Sequence, residues 1–129
     1  PALYRALAEG GASFLTVPSA FTVKTGEAHW HTLLRARAIE TGCFVFAAAQ
    51  AGTHESKRQS YGHSLIVDPW GTVLAEGGGV ETGVFMAKID PAKVETARKA
   101  VPSLQHGRRF SVADPKAGPE HLHLVRGSA

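Results

Sequence analysis

The stretch CFVFAAAQ at residues 43–50 decides how this chain folds, because it is almost wholly apolar. A strand that is covered on both faces reads as such an unbroken apolar run. A predicted helix that ends at Gly42 precedes it, and the short segment SFLTV at residues 13–17 precedes that helix. Its β-branched and aromatic residues predict another buried strand. The core of the fold is therefore a strand–helix–strand unit.

The flanking segments extend this unit into a sheet. The other predicted elements are short helices and strands: a helix over 3–9, strands over 61–67, 72–76 and 83–89, and a helix over 91–100. The sequence DPWG at residues 68–71 has the chemistry of a type I turn, and residues 51–60 are predicted as a loop. This order predicts an α/β fold with a mixed sheet and helices on one face. The other face is then left for a missing half or a partner to cover.

The helix between the two apolar segments has a broad apolar face that includes Trp30, Leu34 and Ile39. We expect Thr25 to cap its N-terminus. Glu27 would then lie in the first turn, where a negative charge suits the helix dipole.

The composition fits one small globular domain. The chain has 129 residues, of which 43% are apolar and 19% charged, so it is neither disordered nor long enough for two ordinary domains. A dispersed net charge of +3 argues against nucleic acid as a partner. No apolar run reaches the roughly 18–20 residues that cross a bilayer. The single cysteine excludes an internal disulfide and fits a reducing compartment.

The first residues of the sequence already lead into a predicted helix. Pro1 is followed at once by the predicted helix, and the only methionine is Met86. A translated chain normally begins with Met, or with a small residue after Met removal and then a lead-in. We therefore expect these residues to be a fragment of a longer chain.

Cys43 is the only candidate thiol nucleophile. A reactive cysteine needs exposure beside a base or a helix N-terminus. Cys43 instead follows a predicted helix C-terminus and enters the most apolar strand. This position favours a buried structural cysteine.

Seven histidines raise the question of a metal site. His29 and His31 are two positions apart on a helix and point in different directions. His121 and His123 have no cysteine or acidic cluster beside them to complete a site. No metal site is therefore predicted.

Three further groups have structural interpretations that outweigh the functional ones. His63, Ser64 and Asp68 are the residue types of a serine triad, but neighbours on a strand point to opposite faces. The arginines and the glutamate within residues 35–40 favour ion pairing or an interface over substrate contact. The glycines at 77–79 lack the lysine and the helix of a phosphate-binding loop.

Several segments, in this order and spacing, resemble the nitrilase (carbon–nitrogen hydrolase) superfamily. VPSAF at residues 17–21 and TGEAHW at 25–30 resemble its loop into a long interface helix. LRARAIET at 34–41 resembles that helix, and YGHSLIVDPWG at 61–71 resembles a later hairpin. The likeness covers residues 1–110, as the C-terminal half of the family domain, with 111–129 as an extended tail. It leans towards the amidases related to deaminated glutathione amidase and ω-amidase.

The resemblance implies an αββα sandwich, of which this chain forms half. It also implies hydrolysis of a small amide, of the deaminated glutathione or ω-amide type, through a Cys thioester. A Glu general base and a Lys that stabilises the oxyanion complete the family's catalytic set. All three lie upstream of the matched segments, so no catalytic residue is expected within this chain.

The resemblance further implies that Phe21 and Thr25 face the substrate. Phenylalanine offers an apolar contact, and a threonine hydroxyl can donate to a carboxylate or carbonyl oxygen. A core aromatic residue at Phe21 and a helix cap at Thr25 remain the alternatives.

No cofactor or metal is expected, and neither nucleic acid nor a membrane is expected as a partner. The resemblance implies a cytoplasmic homodimer, or a higher oligomer, formed through the helix over residues 25–41 and the tail. Two other functions stay open, namely a non-catalytic nitrilase-like interaction or assembly module and a small thiol enzyme that uses Cys43. Because apolar sheet surface would be uncovered, we expect the isolated chain to aggregate.

Overall fold

Three helices and six strands make up the part of the chain that the structure describes, residues 1–108 and 110–112 of a computed structural model. In order they are α1 (Ala2–Glu9), β1 (Phe14–Thr16), α2 (Val23–Thr41), β2 (Phe44–Ala47), β3 (Ala51–Thr53), β4 (Gln59–Tyr61), β5 (Leu65–Val67), β6 (Val73–Glu76) and α3 (Ala92–Ala100). No described helix is both long and apolar enough to cross a membrane. The predicted tail lies outside the described residues from position 113 onward, and so do His121 and His123.

Four strands form a mixed sheet in the order β1-β2-β5-β6. β1 and β2 run parallel, with α2 as the crossover between them, whereas β5 pairs antiparallel with both β2 and β6. A parallel pair needs such a long connection, while a tight turn suffices for β5 and β6. The mixed sheet predicted from the order of elements is confirmed.

One side of this sheet, the helix-covered face, is closed by α1 and α2. Leu15, Val45 and Val67 lie in register across β1, β2 and β5 and are at most 3% exposed. They pack in one cluster with Trp30 and Leu34 of α2. Burial of each such side chain stabilises the fold by about 1.5–3 kcal/mol, so this face is the core of the chain.

The other side of the sheet, the open face, carries Phe14, Thr16, Phe44, Phe46 and Ile66, of which Phe44 alone is fully buried. Phe14 is 46% exposed and stacks on the buried ring of Phe44, with 5.6 Å between ring centroids. No described helix packs against these residues in the way that α2 packs against the opposite side. The expectation that helices cover one face is confirmed.

The start of α2 differs from the expectation. Thr22, and not Thr25, is the N-cap residue, and its carbonyl oxygen accepts the first helical bond, from the Gly26 N–H at 2.8 Å. Thr22 has an extended backbone and forms a bridge with Ser60, which fixes the point at which the helix begins. Glu27 therefore lies beyond the first turn. The helix ends at Gly42 in the left-handed conformation, as predicted.

The segment between β2 and β5 also differs from the prediction. The loop expected over 51–60 contains β3 and β4, which pair as a separate hairpin. The strand expected over 61–67 is divided, because Gly62 and His63 have φ angles of 72° and 57°, which no strand accommodates. The turn at Asp68 is as predicted, with the Gly71 N–H donating to the Asp68 carbonyl at 2.9 Å.

The strand predicted over 83–89 is not formed, although its side chains still alternate between exposed and half-buried positions. Phe85, Ala87 and Ile89 are half-buried, whereas Val84 and Met86 are more than 80% exposed. A strand needs a hydrogen-bonding neighbour, and none of the described strands pairs with this segment.

The helix α3 packs at the amino-terminal end of β1 and β2. The Arg98 guanidinium donates to the carbonyl oxygens of Ala12 and Thr41, at 2.7 and 3.2 Å, just before those strands. Lys93 reaches the buried Asp68 at 2.9 Å. Burial alone would raise the pKa of Asp68, but the bonds from Lys93 and two backbone N–H groups outweigh it and hold the pKa below its ordinary value.

Candidate active-site cleft

A cleft of about 760 Å³ lies at the carboxyl ends of the parallel strands β1 and β2. In α/β sheets this is the edge at which ligands bind, because the loops leaving parallel strands diverge there. The lining residues come from three loops and comprise 18–20, 48–51 and 81–83 together with His54, Ser64 and Phe85.

Backbone hydrogen bonds fix the floor of the cleft. The Ser19 N–H donates to the Ala48 carbonyl oxygen, and the Gln50 N–H donates to the Ser19 carbonyl oxygen, both at 2.9 Å. The Ser64 hydroxyl accepts a bond from the Ala49 N–H at 3.0 Å. The two loops after β1 and β2 are thus tied to each other and to the start of β5.

The β3–β4 hairpin forms one wall and is tied to the loop after β1. Arg58 donates to the Ala20 carbonyl oxygen at 3.0 Å, and the Tyr61 N–H donates to the Phe21 carbonyl oxygen at 2.9 Å. The His54 ring is held by a 2.6 Å hydrogen bond to the buried Ser60 hydroxyl. The hairpin that the sequence patterns missed therefore shapes this site.

The cleft offers mostly neutral hydrogen-bonding groups. Ser19, Gln50 and His54 are among the polar side chains that line it, and Glu81 adds one carboxylate. Among the described lining residues there is no cysteine and no lysine. This set can bind and orient a polar substrate, but it contains no thiol to attack one.

Cys43 lies elsewhere, in the helix-covered core. It is 0% exposed, and its thiol donates to the Ala12 carbonyl oxygen at 3.2 Å. The prediction of a buried structural cysteine is confirmed, and the hypothesis of a small enzyme that uses this thiol is wrong because no substrate can reach it.

The two predicted substrate contacts do not line this cleft. Phe21 packs on Trp30, with 5.0 Å between ring centroids, at the margin of the core. Thr25 is exposed, and its hydroxyl donates to the Thr22 carbonyl oxygen at 3.2 Å. The core alternative for Phe21 fits these contacts, whereas the cap belongs to Thr22. A substrate contact at either residue stays a prediction.

The residue types of a serine triad do not meet. Ser64 is bonded to Ala49, and the His63 ring is bonded to Glu76. Asp68 accepts its bonds from the turn that follows it and from Lys93. The exclusion of this triad is confirmed, although His63 and Ser64 lie in the connection between β4 and β5 and not on a strand.

The arginines of α2 are structural, as expected. Arg35 donates to the Gly71 carbonyl oxygen at 2.8 Å, which holds the turn after β5 against the helix. Arg37 pairs with Glu40 and lies over the Tyr4 ring, 5.4 Å from its centroid.

One cluster of titratable groups went unnoticed in the sequence. The Glu76 carboxylate oxygen Oε1 accepts from His31 Nε2 at 2.9 Å and from His63 Nδ1 at 2.8 Å. Burial would raise the pKa of Glu76, but the hydrogen bonds from His63 and His31 outweigh it and lower the pKa. The histidines lie 13 and 45 positions from Glu76, so only the sheet register and the docking of α2 bring them together.

The sequence profile described as carbon–nitrogen hydrolase matches residues 1–99. Deaminated glutathione amidase from Synechocystis is 49% identical to this chain over 106 residues, which are 82% of the chain and 39% of that protein. The Homo sapiens protein of the same name is 55% identical over 111 residues, 84% of the chain and 33% of that protein. The chain thus spans between a third and two-fifths of these relatives.

Solved structures give the same result. The Caenorhabditis elegans NitFhit protein superposes with a TM-score of 0.76 at 52% identity, over 82% of this chain and 26% of that one. A Saccharomyces cerevisiae member of the nitrilase superfamily superposes with a TM-score of 0.73 at 40% identity, over 79% of this chain and 37% of that one. Together with the matched profile, these similarities establish that the chain belongs to the carbon–nitrogen hydrolase family of the nitrilase superfamily.

Proposed function

We propose that this chain forms one wall of the substrate cleft of an amidase and is the C-terminal half of that enzyme's catalytic domain. The observation that carries the proposal is the cleft at the carboxyl ends of β1 and β2, in a chain about half identical to proteins named deaminated glutathione amidase. The cleft has binding groups but no described cysteine or lysine in its lining. The nucleophilic Cys, the Lys and the Glu base would come from residues outside this chain.

The proposed reaction is hydrolysis of a small amide such as deaminated glutathione or an ω-amide. The Glu general base takes the proton of the Cys thiol, and the thiolate attacks the amide carbonyl carbon. The C–N bond then breaks, and ammonia or an amine leaves with that proton, which the Glu returns. Water then cleaves the thioester to the carboxylic acid and regenerates the thiol.

The role proposed for this chain is to bind and orient that substrate. The Gln50 amide and the Ser19 hydroxyl can donate hydrogen bonds to a carbonyl or carboxylate oxygen. Phe21, in the loop after β1, and Thr25, in the first turn of α2, are predicted by resemblance and would act from beside the cleft. The proposed enzyme is cytoplasmic and forms a homodimer or a higher oligomer through α2 and the C-terminal tail.

The assay that tests this proposal measures ammonia release by the purified polypeptide containing this chain, with deaminated glutathione and short ω-amides as substrates. We expect turnover, and we expect Gln50→Ala to lower kcat/KM by about tenfold through loss of one substrate hydrogen bond. Gln59→Ala is the matched control, because Gln59 is an exposed glutamine of β4 outside the cleft lining. Equal losses in both variants would contradict a substrate role for Gln50.

A measurement of intact mass comes before this assay. A mass well above 13.6 kDa, with a cysteine upstream of Pro1, is expected. A purified polypeptide of 13.6 kDa that releases no ammonia would contradict the amidase proposal.

The second candidate function is a non-catalytic assembly module. The open face of the sheet favours it, because Phe14 and its neighbours offer an apolar surface to another chain. This module would bind a partner chain and release no ammonia from any amide, so the same assay separates the two functions.

A further inference from the structure

His31, His63 and Glu76 converge from three different elements. His31 belongs to α2, His63 to the connection between β4 and β5, and Glu76 is the last residue of β6. Their ligand atoms all lie within 4.8 Å of one another, and one carboxylate oxygen is within 2.9 Å of both imidazole nitrogens. From this convergence we infer that the three side chains form a binding site for a divalent transition-metal ion, best suited to Zn²⁺.

The donor set selects the metal class. Two imidazole nitrogens and one carboxylate oxygen are ligands that Zn²⁺ prefers, whereas Mg²⁺ and Ca²⁺ prefer oxygen alone. At bond lengths of about 2.0–2.2 Å, tetrahedral Zn²⁺ places its ligand atoms about 3.4 Å apart. The separations of 2.8 and 2.9 Å from Glu76 therefore need an outward movement of about half an ångström, which the terminal carboxylate can make by rotation. The two imidazole nitrogens lie within 4.8 Å of each other, and their rings would turn to bring them to the same spacing.

The backbone holds His63 in place for this role. Its φ angle of 57° is unusual for a residue with a side chain, so the surrounding contacts must maintain it. The His63 carbonyl oxygen accepts a 2.7 Å bond from the Trp30 indole, and its N–H donates to the Gly78 carbonyl oxygen at 3.2 Å. Its ring stacks on Tyr61 with 4.2 Å between centroids.

The surroundings leave access for an ion and supply charge. The three side chains are between 28% and 40% exposed, so a fourth position is open to water. A cavity of about 250 Å³ adjoins His63 and is also lined by Glu27, which lies one helical turn before His31. Glu76 and Glu27 thus provide negative charge around the histidines.

Bound metal would join α2 to β6 and to the β4–β5 connection, so the site acts as a cross-link on the helix-covered side. The proposed metal site does not depend on the amidase proposal, because none of its three residues lines the cleft at the carboxyl ends of β1 and β2. Binding to the folded state alone raises the unfolding temperature, and the stabilisation grows with the logarithm of the free metal concentration above Kd.

The test is calorimetric titration of the chelator-treated polypeptide that contains this chain with Zn²⁺, followed by Co²⁺ absorption spectra and thermal melts. We expect one ion per chain, a tetrahedral Co²⁺ spectrum and a higher melting temperature with Zn²⁺. Equimolar Mg²⁺ should not compete. No saturable binding, or competition by Mg²⁺, would overturn the proposal.

Substitutions assign the ligands. We expect His31→Gln and Glu76→Gln each to weaken Zn²⁺ binding by about tenfold or more, because loss of a direct ligand costs at least as much as loss of its outer-shell partner. Both substitutions should abolish the Co²⁺ spectrum. His29→Gln is the matched control, because His29 is exposed on the same helix two residues away and should bind like the parent. Far-UV circular dichroism without metal identifies any variant that fails to fold, and Glu76→Gln keeps the side-chain shape. Parental affinity in both ligand variants, or an equal loss in the control, would overturn the assignment.

Discussion

The two faces of the four-stranded sheet have similar apolar sequences and very different surroundings. On β5, Leu65 and Val67 point to the helix-covered face and are at most 2% exposed, whereas Ile66 between them points to the open face and is half-buried. On β1, Leu15 is 3% exposed and its neighbour Phe14 is 46% exposed. Alternation thus assigns residues to faces, but the cover on each face depends on what else packs there.

The largest expected effect comes from the helix-covered face. Leu65→Ala removes a side chain that packs among α2, β2 and β5, and it should lower the free energy of unfolding by about 3 kcal/mol through lost burial and a cavity. Urea unfolding monitored by circular dichroism measures this change. A loss below about 1 kcal/mol would mean that this face is not the core.

A smaller effect is expected where α3 meets the sheet at the buried Asp68. Asp68→Asn loses the charged bond from Lys93 and should cost about 1.5 kcal/mol at neutral pH. The pKa of Asp68 is lowered on folding from its ordinary 3.8, so the unfolded state binds the proton more readily. The contribution is therefore present above about pH 4 and is lost as the pH falls through the folded-state pKa.

Urea unfolding of the parent and of Asp68→Asn from pH 7 to pH 2.5 checks this sign. The difference between them should shrink towards low pH. A double-mutant cycle with Lys93→Met isolates the pair. A difference that stays constant or grows on acidification would contradict the lowered pKa.

A matched substitution on the open face tests whether the two faces of the sheet differ in burial. Ile66→Ala is adjacent to Leu65 on the same strand, and in the isolated chain it should cost only about 1 kcal/mol, because the side chain already contacts solvent. In the longer polypeptide that we propose, in which a second layer would cover this face, the cost should approach that of Leu65→Ala. Equal costs in the isolated chain would break the distinction between the faces.

The smallest expected effect on stability comes from Phe14→Lys. The ring is nearly half exposed, so the free energy of unfolding should change by no more than about 1 kcal/mol. The charge should, however, reduce self-association of the isolated chain, because it interrupts the exposed aromatic surface. Light scattering of the two proteins at equal concentration measures this. A parent chain that stays monomeric would contradict the expected aggregation.

Local chemistry explains why much of the fold could be predicted. Gly42 stops α2 because it adopts a left-handed conformation with φ of 60°, and Asp68 to Gly71 form the turn that their residue types favour. Periodicity likewise placed α1, α2 and β2. Cys43 was recognised as buried from its place in the apolar strand.

The errors arose where distant contacts compete with local preference. Thr25 has a good capping side chain, but α2 begins at Val23, because the bridge between Thr22 and Ser60 holds Thr22 extended. The alternation over residues 83–89 predicts a strand, but none of the described strands pairs with this segment. Local patterns did not indicate the cleft lining, in which Gln50 and His54 lie. Phe21 and Thr25 lie outside that lining, and their predicted substrate contacts stay predictions.

Sequence patterns alone predict the α/β class, the order of the main helices and strands, the burial of Cys43 and, through the quoted motifs, the family. These depend on spacing and local propensity, which are written along the chain. Sequence patterns do not predict the cleft at the carboxyl ends of the parallel strands or the convergence of His31, His63 and Glu76. Both are seen only in the tertiary structure. Those features depend on strand register and on the docking of α2, which brings His31 to Glu76, 45 positions away in the chain. Local sequence patterns do not encode contacts between side chains so far apart in the chain, because tertiary packing determines which of these side chains meet.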